Sequence, residues 1–303
     1  MFHRAPKLQI KTDEQIHLMR AAGLVVADAL EAVVAAVQPG VTGKVLDAIA
    51  EEVIRSAGAV PSFLGYYGYP ASICVSIDNA IVHGIPTDEP IPEGSLVSVD
   101  CGAILAGWHG DAAVTCAVGQ VGRGATELSD TTRCALWHGL AHARPGGRLT
   151  DIGAAVEQVV RGAAHDYGIV RNYVGHGIGT QMHMAPDVPN VGPSGKGPHL
   201  VPGLVIAIEP MITLGAAENT TLEDDWTVVT MDGSLAAHWE HTVAVTSTGP
   251  WVLTARDGGA GDPRIAGRVS RRGHVRRVAG VRSLCPPRPG PHAAGHALDL
   301  RPT

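Results

Sequence analysis

The sequence PGVTGKVLDAIAEEVIR of residues 39–55 recurs in related form 106 positions later, as PGGRLTDIGAAVEQVVR of residues 145–161. Both runs begin with Pro-Gly, which is typical of a turn, and both end in Glu-x-Val-(Ile/Val)-Arg, which is typical of a helix face. Strand-like segments follow each run. We therefore predict an α+β fold of two duplicated halves related by a pseudo-twofold axis, with the functional site between the halves.

Further elements surround this repeat. Apolar residues at helical spacing predict four helices, over residues 12–37, 42–57, 127–143 and 150–167. The first should open with a capping box of Thr12 and Gln15. Apolar runs predict strands over residues 72–83, 95–103, 108–118, 169–173, 204–209 and 238–245. We divide the chain into an N-terminal segment (1–10), one globular domain (11–255) and an Arg/Pro/Gly-rich tail (256–303), which we expect to be disordered.

Composition narrows the classes of function. The 303 residues include 45% apolar and 17% charged residues, as in a globular protein. The net charge of the chain is −6, and the tail alone carries +7, so residues 1–255 carry −13. Such an acidic domain argues against a sequence-specific nucleic-acid binder. No apolar run is long enough to cross a membrane. Five cysteines without a Cys-x-x-Cys pair, and an N-terminus without a signal-like apolar run, predict a cytoplasmic protein.

Three carboxylates occupy unexpected positions at apolar strands. Asp100 follows SLVSV, Glu209 follows LVIAI, and Glu240 precedes the apolar residues of the last predicted strand. A buried carboxylate without a partner costs several kcal/mol, about 3–5 kcal/mol when its partner is removed. These segments contain no Lys or Arg that could pair with them. A bound metal ion is therefore the simplest partner.

Asp111 strengthens this interpretation. A turn at Ala106-Gly107 would fold residues 95–118 into a hairpin and bring Asp111 and Asp100 onto one face as near cross-strand partners. Two carboxylates at that spacing suit a pair of metal ions. His176, within GHGIG, adds a neutral nitrogen donor. Four carboxylates balance two divalent ions, and this donor set favours Mn, Fe, Co or Zn.

Seven short motifs carry a family resemblance. They are GYYGYP (65–70), IVHGIP (81–86), SVDCG (98–102), WHGD (108–111), GHGIG (175–179), IEPM (208–211) and WEHT (239–242). Together they resemble type I methionine aminopeptidases, over about residues 11–254. The resemblance implies the duplicated pita-bread fold of the creatinase/aminopeptidase class. It also implies removal of the initiator methionine from nascent polypeptides whose second residue is small.

The resemblance implies a role for each ligand. Asp100, Asp111 and Glu240 would hold one ion, and Asp111, His176, Glu209 and Glu240 the other, with Asp111 and Glu240 bridging. A water or hydroxide between two Co, Mn, Fe(II) or Zn ions would attack the peptide carbonyl. The resemblance further implies a monovalent-cation site formed by backbone oxygens near Asp78, Ala80 and Ala236.

The resemblance also implies the catalytic and substrate-binding side chains. Glu209 would shuttle a proton, His183 would polarise the scissile carbonyl, and His83 would contact the scissile amide or the leaving amine. A methionine pocket would draw on six residues, Phe63, Tyr66, Tyr69, Cys74, Met182 and Trp226. Many members have Cys where Phe63 stands and Phe where Met182 stands, so the pocket volume is expected to be distributed differently here.

Two alternative functions and an association with the ribosome remain open. The chain could be another metallopeptidase of this fold, such as an X-Pro enzyme, or a binding module of the same fold that lacks catalysis. We expect a monomer. The tail has two interpretations, an extension without a role or an Arg-rich segment that holds the enzyme near ribosomal RNA phosphates.

Overall fold

The computed structural model describes residues 8–266. Its helices are α1 (Asp13–Ala36), α2 (Gly43–Ser56), α3 (Arg123–His142), α4 (Leu149–Arg161) and the short α5 (Pro263–Ala266). A short 3-10 turn covers Tyr66–Gly68. The strands are β1 (Val60–Pro61), β2 (Ile73–Ile77), β3 (Ala80–Val82), β4 (Leu96–Leu105), β5 (Trp108–Ala117), β6 (Gly168–Ile169), β7 (Gly175–Gly177), β8 (Met184–Val188), β9 (Val205–Ile208), β10 (Met211–Thr213), β11 (Asn219–Thr221), β12 (Val228–Thr230), β13 (Ala236–His238), β14 (Glu240–Thr246) and β15 (Gly249–Val252).

The predicted duplication is visible in the helices. α2 begins at residue 43 and α4 at residue 149, the offset of 106 found in the sequence. α1 and α2 pack together on the first half, and α3 and α4 pack together on the second. The capping box at the start of α1 is present, because Gln15 N donates to Thr12 Oγ1 and Thr12 N donates to Gln15 Oε1. The α+β prediction is confirmed.

One antiparallel sheet joins the halves. Its order is β1-β4-β5-β14-β9-β7-β8, with β2 also paired to β4 and β15 to β14. β5 belongs to the first half and β14 to the second, and they pair at Glu240–Ala113 and His241–Ala112. We call this β5–β14 pairing the seam. Two three-stranded sheets, β13-β10-β6 and β11-β12-β3, complete the fold.

A close contact between backbones fixes helix α1 against β5. A Cβ atom on Gly110 would lie 2.7 Å from the backbone nitrogen of Gly23 and 2.8 Å from its Cα. Real Cβ atoms do not approach backbone so closely, so this packing requires glycine at position 110. Gly110 immediately precedes Asp111. The helix therefore holds the backbone that presents this aspartate.

Some predicted boundaries are wrong. The strand predicted over 72–83 is two strands, because Asp78 adopts a left-handed φ of 54° between β2 and β3. The last predicted strand is interrupted at Trp239, whose indole Nε1 donates to Ser129 Oγ. The helix predicted over 150–167 ends at Arg161, and only Ile169 of the next predicted strand, 169–173, lies in a strand, β6.

The predicted tail begins inside the fold. Arg256 forms ion pairs with Asp28, at 2.7 Å, and with Glu31, and Arg20 donates to the backbone oxygens of Leu253 and Arg256. Residues 256–266, which we predicted to be part of the disordered tail, therefore contact α1 and include α5. The rest of the predicted tail, 267–303, lies outside the described residues, as do residues 1–7.

Candidate active site

The hairpin of β4 and β5 presents both predicted aspartates on one face. Ala106 and Gly107 form its turn with φ of 51° and 81°, and Leu105 pairs with Trp108. Asp100 lies opposite Ala113, and Asp111 lies opposite Gly102. The two aspartates are thus diagonal neighbours two positions apart, which keeps them on the same face of the sheet.

The second half adds its carboxylates to the same rows. Ala113 lies opposite Glu240 as well as Asp100, so these three residues form one row across the seam. His241 lies opposite Ile208, which brings Glu209, the next residue, beside Glu240. The strand register therefore places all four carboxylates close together. Two come from each half of the molecule.

His176 completes the cluster from β7. Its Nε2 atom lies 3.7 Å from Asp111 Oδ2 and 3.5 Å from Glu209 Oε1. Its Nδ1 atom is 3.0 Å from Gly177 O, an acceptor, so Nδ1 carries the hydrogen and Nε2 keeps its lone pair. Burial, followed by the proximity of His183, lowers the pKa of His176 to about 3. A neutral imidazole with a free Nε2 is the form that ligates metals.

The carboxylates are strongly perturbed. Burial raises the pKa of Asp100 to about 7. Burial first, and the neighbouring carboxylates second, raise the pKa of Asp111 and Glu240 well above the usual range. The pKa of Glu209 is raised by burial and then by Asp100. Four acids gathered in this way need positive charge to ionise together.

Metal binding fits these residues. Asp100 Oδ1, Asp111 Oδ1 and Glu240 Oε1 are buried and have no hydrogen-bond partner among the described residues. One ligand atom from each of Asp111, His176 and Glu240 lies within 4.8 Å of the others. Buried oxygen atoms without donors, grouped around one imidazole, are the donor set of a divalent metal site.

The predicted catalytic histidines lie beside the cluster. The ring of His183 is 4.3 Å from that of His176, and the Tyr66 hydroxyl lies 2.8 Å from His183 Nδ1. His83 has a left-handed φ of 61° and packs edge-on against Tyr173. Burial, and then the proximity of His183, lower the pKa of His83 to about 4.

The six predicted pocket residues form one apolar cluster. Phe63, Tyr69, Cys74 and Met182 are buried in it, and Tyr66 and Trp226 pack against it. Cys74 lies opposite Asp100 in the sheet, so the cluster adjoins the carboxylates. Tyr69 meets Trp226 edge to face at 5.1 Å, and its hydroxyl donates to Gly84 O.

Three residues of this region were missed by the sequence analysis. Gly102 is packed closely by two of the predicted pocket residues, because a Cβ atom there would lie 3.0 Å from Phe63 Cε1 and 3.1 Å from Met182 Cε. His109 is buried, with Nδ1 3.0 Å from Ser62 Oγ. His238 is buried with Nε2 3.9 Å from carboxylate oxygens of both Glu209 and Glu240. A signal for His238 existed, since it precedes Glu240 by two residues in a strand-like run.

The surroundings of the predicted monovalent-cation site are well defined. Asp78 O accepts a hydrogen bond from Ala236 N, and Asp78 Oδ1 accepts one from Leu96 N. Ala80 lies on β3 and Ala236 on β13. Whether an ion binds there stays a prediction.

Comparison with known proteins agrees with this geometry. Residues 17–247 match metallopeptidase family M24, and the chain belongs to that family. Methionine aminopeptidase 1 of Mycobacterium tuberculosis is 56% identical over 245 residues, which cover 79% of this chain and 92% of that protein. The crystal structure of methionine aminopeptidase from Rickettsia prowazekii has a TM-score of 0.80 at 38% identity, covering 82% of this chain and all of that one.

A more distant likeness concerns the fold alone. The prolidase from Pyrococcus furiosus has a TM-score of 0.64 at 22% identity. The fold is accordingly the pita-bread fold, as predicted. Membership of metallopeptidase family M24 and the group of Asp111, His176 and Glu240 support the use of divalent metal. No helix within residues 8–266 is both long and apolar enough to span a membrane.

Proposed function

We propose that this protein is a metalloaminopeptidase that removes N-terminal methionine from nascent polypeptides whose second residue is small. The observation that carries the proposal is the cluster at the seam, where four carboxylates and His176 adjoin the apolar cluster of the predicted pocket residues. The 56% identity to a methionine aminopeptidase supports the same substrate. We further propose that the protein works in the cytoplasm as a monomer.

We propose that two divalent ions bind at the seam. Asp100, Asp111 and Glu240 would hold one, and Asp111, His176, Glu209 and Glu240 the other. Two ions of charge +2 would balance the four carboxylates, and Mn, Fe(II), Co and Zn suit this mixture of oxygen and imidazole donors. When bound, such ions supply a water of lowered pKa as the nucleophile.

The protein's own side chains orient the substrate and move its protons. Glu209 accepts a proton during attack and returns it to the leaving amine. His183 donates a hydrogen bond to the scissile carbonyl oxygen. Because Tyr66 contacts Nδ1 of His183, the hydroxyl can hold the ring with Nε2 free to donate. His83 contacts the scissile amide or the leaving amine.

The pocket suits an unbranched thioether. Tyr69 and Trp226 present aromatic edges, and Met182 and Cys74 contribute soft sulfur atoms. Sulfur contacts with aromatic rings contribute roughly 0.3–1.5 kcal/mol each, which favours Met over Leu or Lys. Phe63 and Met182 both pack against Gly102. The space that one of these side chains occupies is therefore limited by the position of the other.

Peptide hydrolysis tests this function directly. The full chain, stripped with a chelator and reloaded with Mn²⁺ or Co²⁺, should release Met from Met-Ala-Ser rapidly and from Met-Lys-Ser poorly. Hydrolysis of Ala-Pro peptides in preference to Met-Ala-Ser would identify an X-Pro enzyme. Metal binding without turnover of either peptide would indicate a binding module.

The Arg-rich segment after residue 266 suggests that the enzyme associates with ribosomes. We propose that it holds the acidic enzyme near ribosomal RNA by releasing counterions from phosphates. A chain ending at residue 266 keeps the contacts of Arg256 and should retain its kcat/KM on short peptides. It should sediment less with ribosomes than the full chain at low salt. Equal sedimentation would contradict the proposal.

A further inference from the structure

One buried histidine next to the cluster has no role in the ligand set above. The His238 side chain is 2% exposed, and its Nε2 atom has no hydrogen-bond partner among the described residues. That atom lies 3.9 Å from Glu209 Oε2 and 3.9 Å from Glu240 Oε2. A buried polar nitrogen without a partner is costly, by about 1–3 kcal/mol, and calls for an explanation.

The backbone of His238 is held firmly. Its nitrogen donates to Ser98 Oγ at 3.2 Å and to Thr115 Oγ1 at 3.0 Å, and its carbonyl accepts from Thr115 Oγ1 at 2.7 Å. Met211 on β10 pairs with it across the small sheet. These contacts link β4, β5 and β13. The ring is therefore presented to the two glutamates from a fixed position.

The two acceptors lie at equal distances from one donor. Carboxylates only accept hydrogen bonds, so an imidazole nitrogen facing two of them is best placed as an N–H. At 3.9 Å the pairs are longer than a hydrogen bond, and either glutamate must move by less than about 1 Å to reach hydrogen-bonding distance. Ligating carboxylates are commonly oriented by such outer donors.

We propose that His238 is a positioning residue, whose Nε2–H donates to the Glu209 and Glu240 carboxylates and orients their other oxygens toward the metal ions. This inference rests on the proposed function, because it needs a metal at the seam. In this role His238 is not a metal ligand, because its Nε2 atom faces two carboxylates as a donor and a protonated ring nitrogen has no lone pair for a metal.

The test compares three variants of the full chain. His238→Leu removes the donor, and His238→Gln keeps an N–H donor on a similar side chain. His241→Gln is the matched control, because His241 adjoins Glu240 in sequence but directs Nδ1 to Thr254 Oγ1, 2.8 Å away. If His238→Leu fails to fold, His238→Met, which also lacks an N–H, replaces it. Thermal melts of the chelator-treated proteins establish folding.

The main readout is Mn²⁺ affinity by calorimetry. Loss of an outer-shell partner costs about 10–100-fold in metal affinity, so we expect that loss for His238→Leu. His238→Gln and the control should remain within about threefold of the wild type. Unchanged Mn²⁺ affinity in His238→Leu would overturn the inference.

A second readout distinguishes a positioning residue from a ligand. NMR of the Co²⁺ protein shows strongly shifted exchangeable protons of ligating imidazoles. We expect one such histidine signal in the wild type, and the same signal in His238→Leu. A second signal that disappears in His238→Leu would make His238 a ligand and overturn the inference. A wild-type protein that binds neither Mn²⁺ nor Co²⁺ would overturn the proposed function itself.

Discussion

Removing the metal should make the stability of this protein fall as pH rises above neutrality. Without cations, burial raises the pKa of Asp100 to about 7. Burial, and then repulsion by neighbouring carboxylates, hold the pKa values of Asp111, Glu209 and Glu240 well above the usual range. In the unfolded chain these groups ionise near pH 4. The folded state therefore binds more protons, and its stabilising effect is lost as pH rises through the folded pKa.

The size of the effect follows from the number of protons retained. Each proton held only by the folded state changes stability by about 1.4 kcal/mol per pH unit. One retained proton over the window pH 6.5–8.0 costs about 2 kcal/mol, or a drop in Tm of roughly 4–8 °C. Below this window, histidines of lowered pKa such as His176, whose ordinary value is 6.5, give the opposite slope. Above it, Lys11, with a pKa of about 8, begins to titrate.

Calorimetry at constant ionic strength can measure this slope. The chelator-treated protein should lose stability between pH 6.5 and 8.0, and the Mn²⁺-loaded protein should not, because bound cations keep the carboxylates ionised. Asp111→Asn should flatten the slope. Asp88→Asn, which changes an exposed partner of Lys44, should leave it unchanged. A metal-free Tm that is constant or rises across the window would refute the reasoning.

Three substitutions test the parts of the site. Asp111→Asn should abolish Mn²⁺-dependent turnover and lower metal content measured by mass spectrometry, because it removes a bridging charge; near-normal values would contradict the two-metal proposal. His183→Ala should lower kcat by about 10²–10³-fold with little change in KM; a loss of metal content instead would make His183 a ligand. Gly102→Ala places a methyl group 3.0 Å from Phe63 Cε1. This overpacking should cost about 1–3 kcal/mol. We therefore expect kcat/KM on Met-Ala-Ser to fall about 10–100-fold. An unchanged kcat/KM would exclude Gly102 from the pocket.

Local patterns explain which features the sequence could predict. The β4–β5 hairpin follows from its turn and alternation, and the Thr12 cap follows from residues three positions apart. Both depend on neighbours in the chain. The duplicated helices were predictable because a repeat compares the sequence with itself.

Other features depend on contacts between distant segments. Arg256 is ordered by Asp28 and Glu31 on α1, more than two hundred residues earlier, so composition alone suggested a disordered tail. The orientation of His238 depends on Ser98 and Thr115, which lie in the other half. Gly102 gains its importance only where Phe63 and Met182 converge on it. Neither hydrophobic periodicity nor a short sequence motif can predict such contacts between distant residues.

Ala113 sets the dimensions of the site without binding anything. It is fully buried and separates Asp100 from Glu240 in their row, so the backbones of those two residues stand two strand spacings apart, roughly 10 Å. Their side chains must therefore reach toward each other over the methyl group of Ala113. A larger side chain at this position would occupy the space in which they converge. The convergence of these two carboxylates thus depends on the smallness of a neighbour that binds nothing, and the same acidic residues on another sheet would not reproduce it without that neighbour.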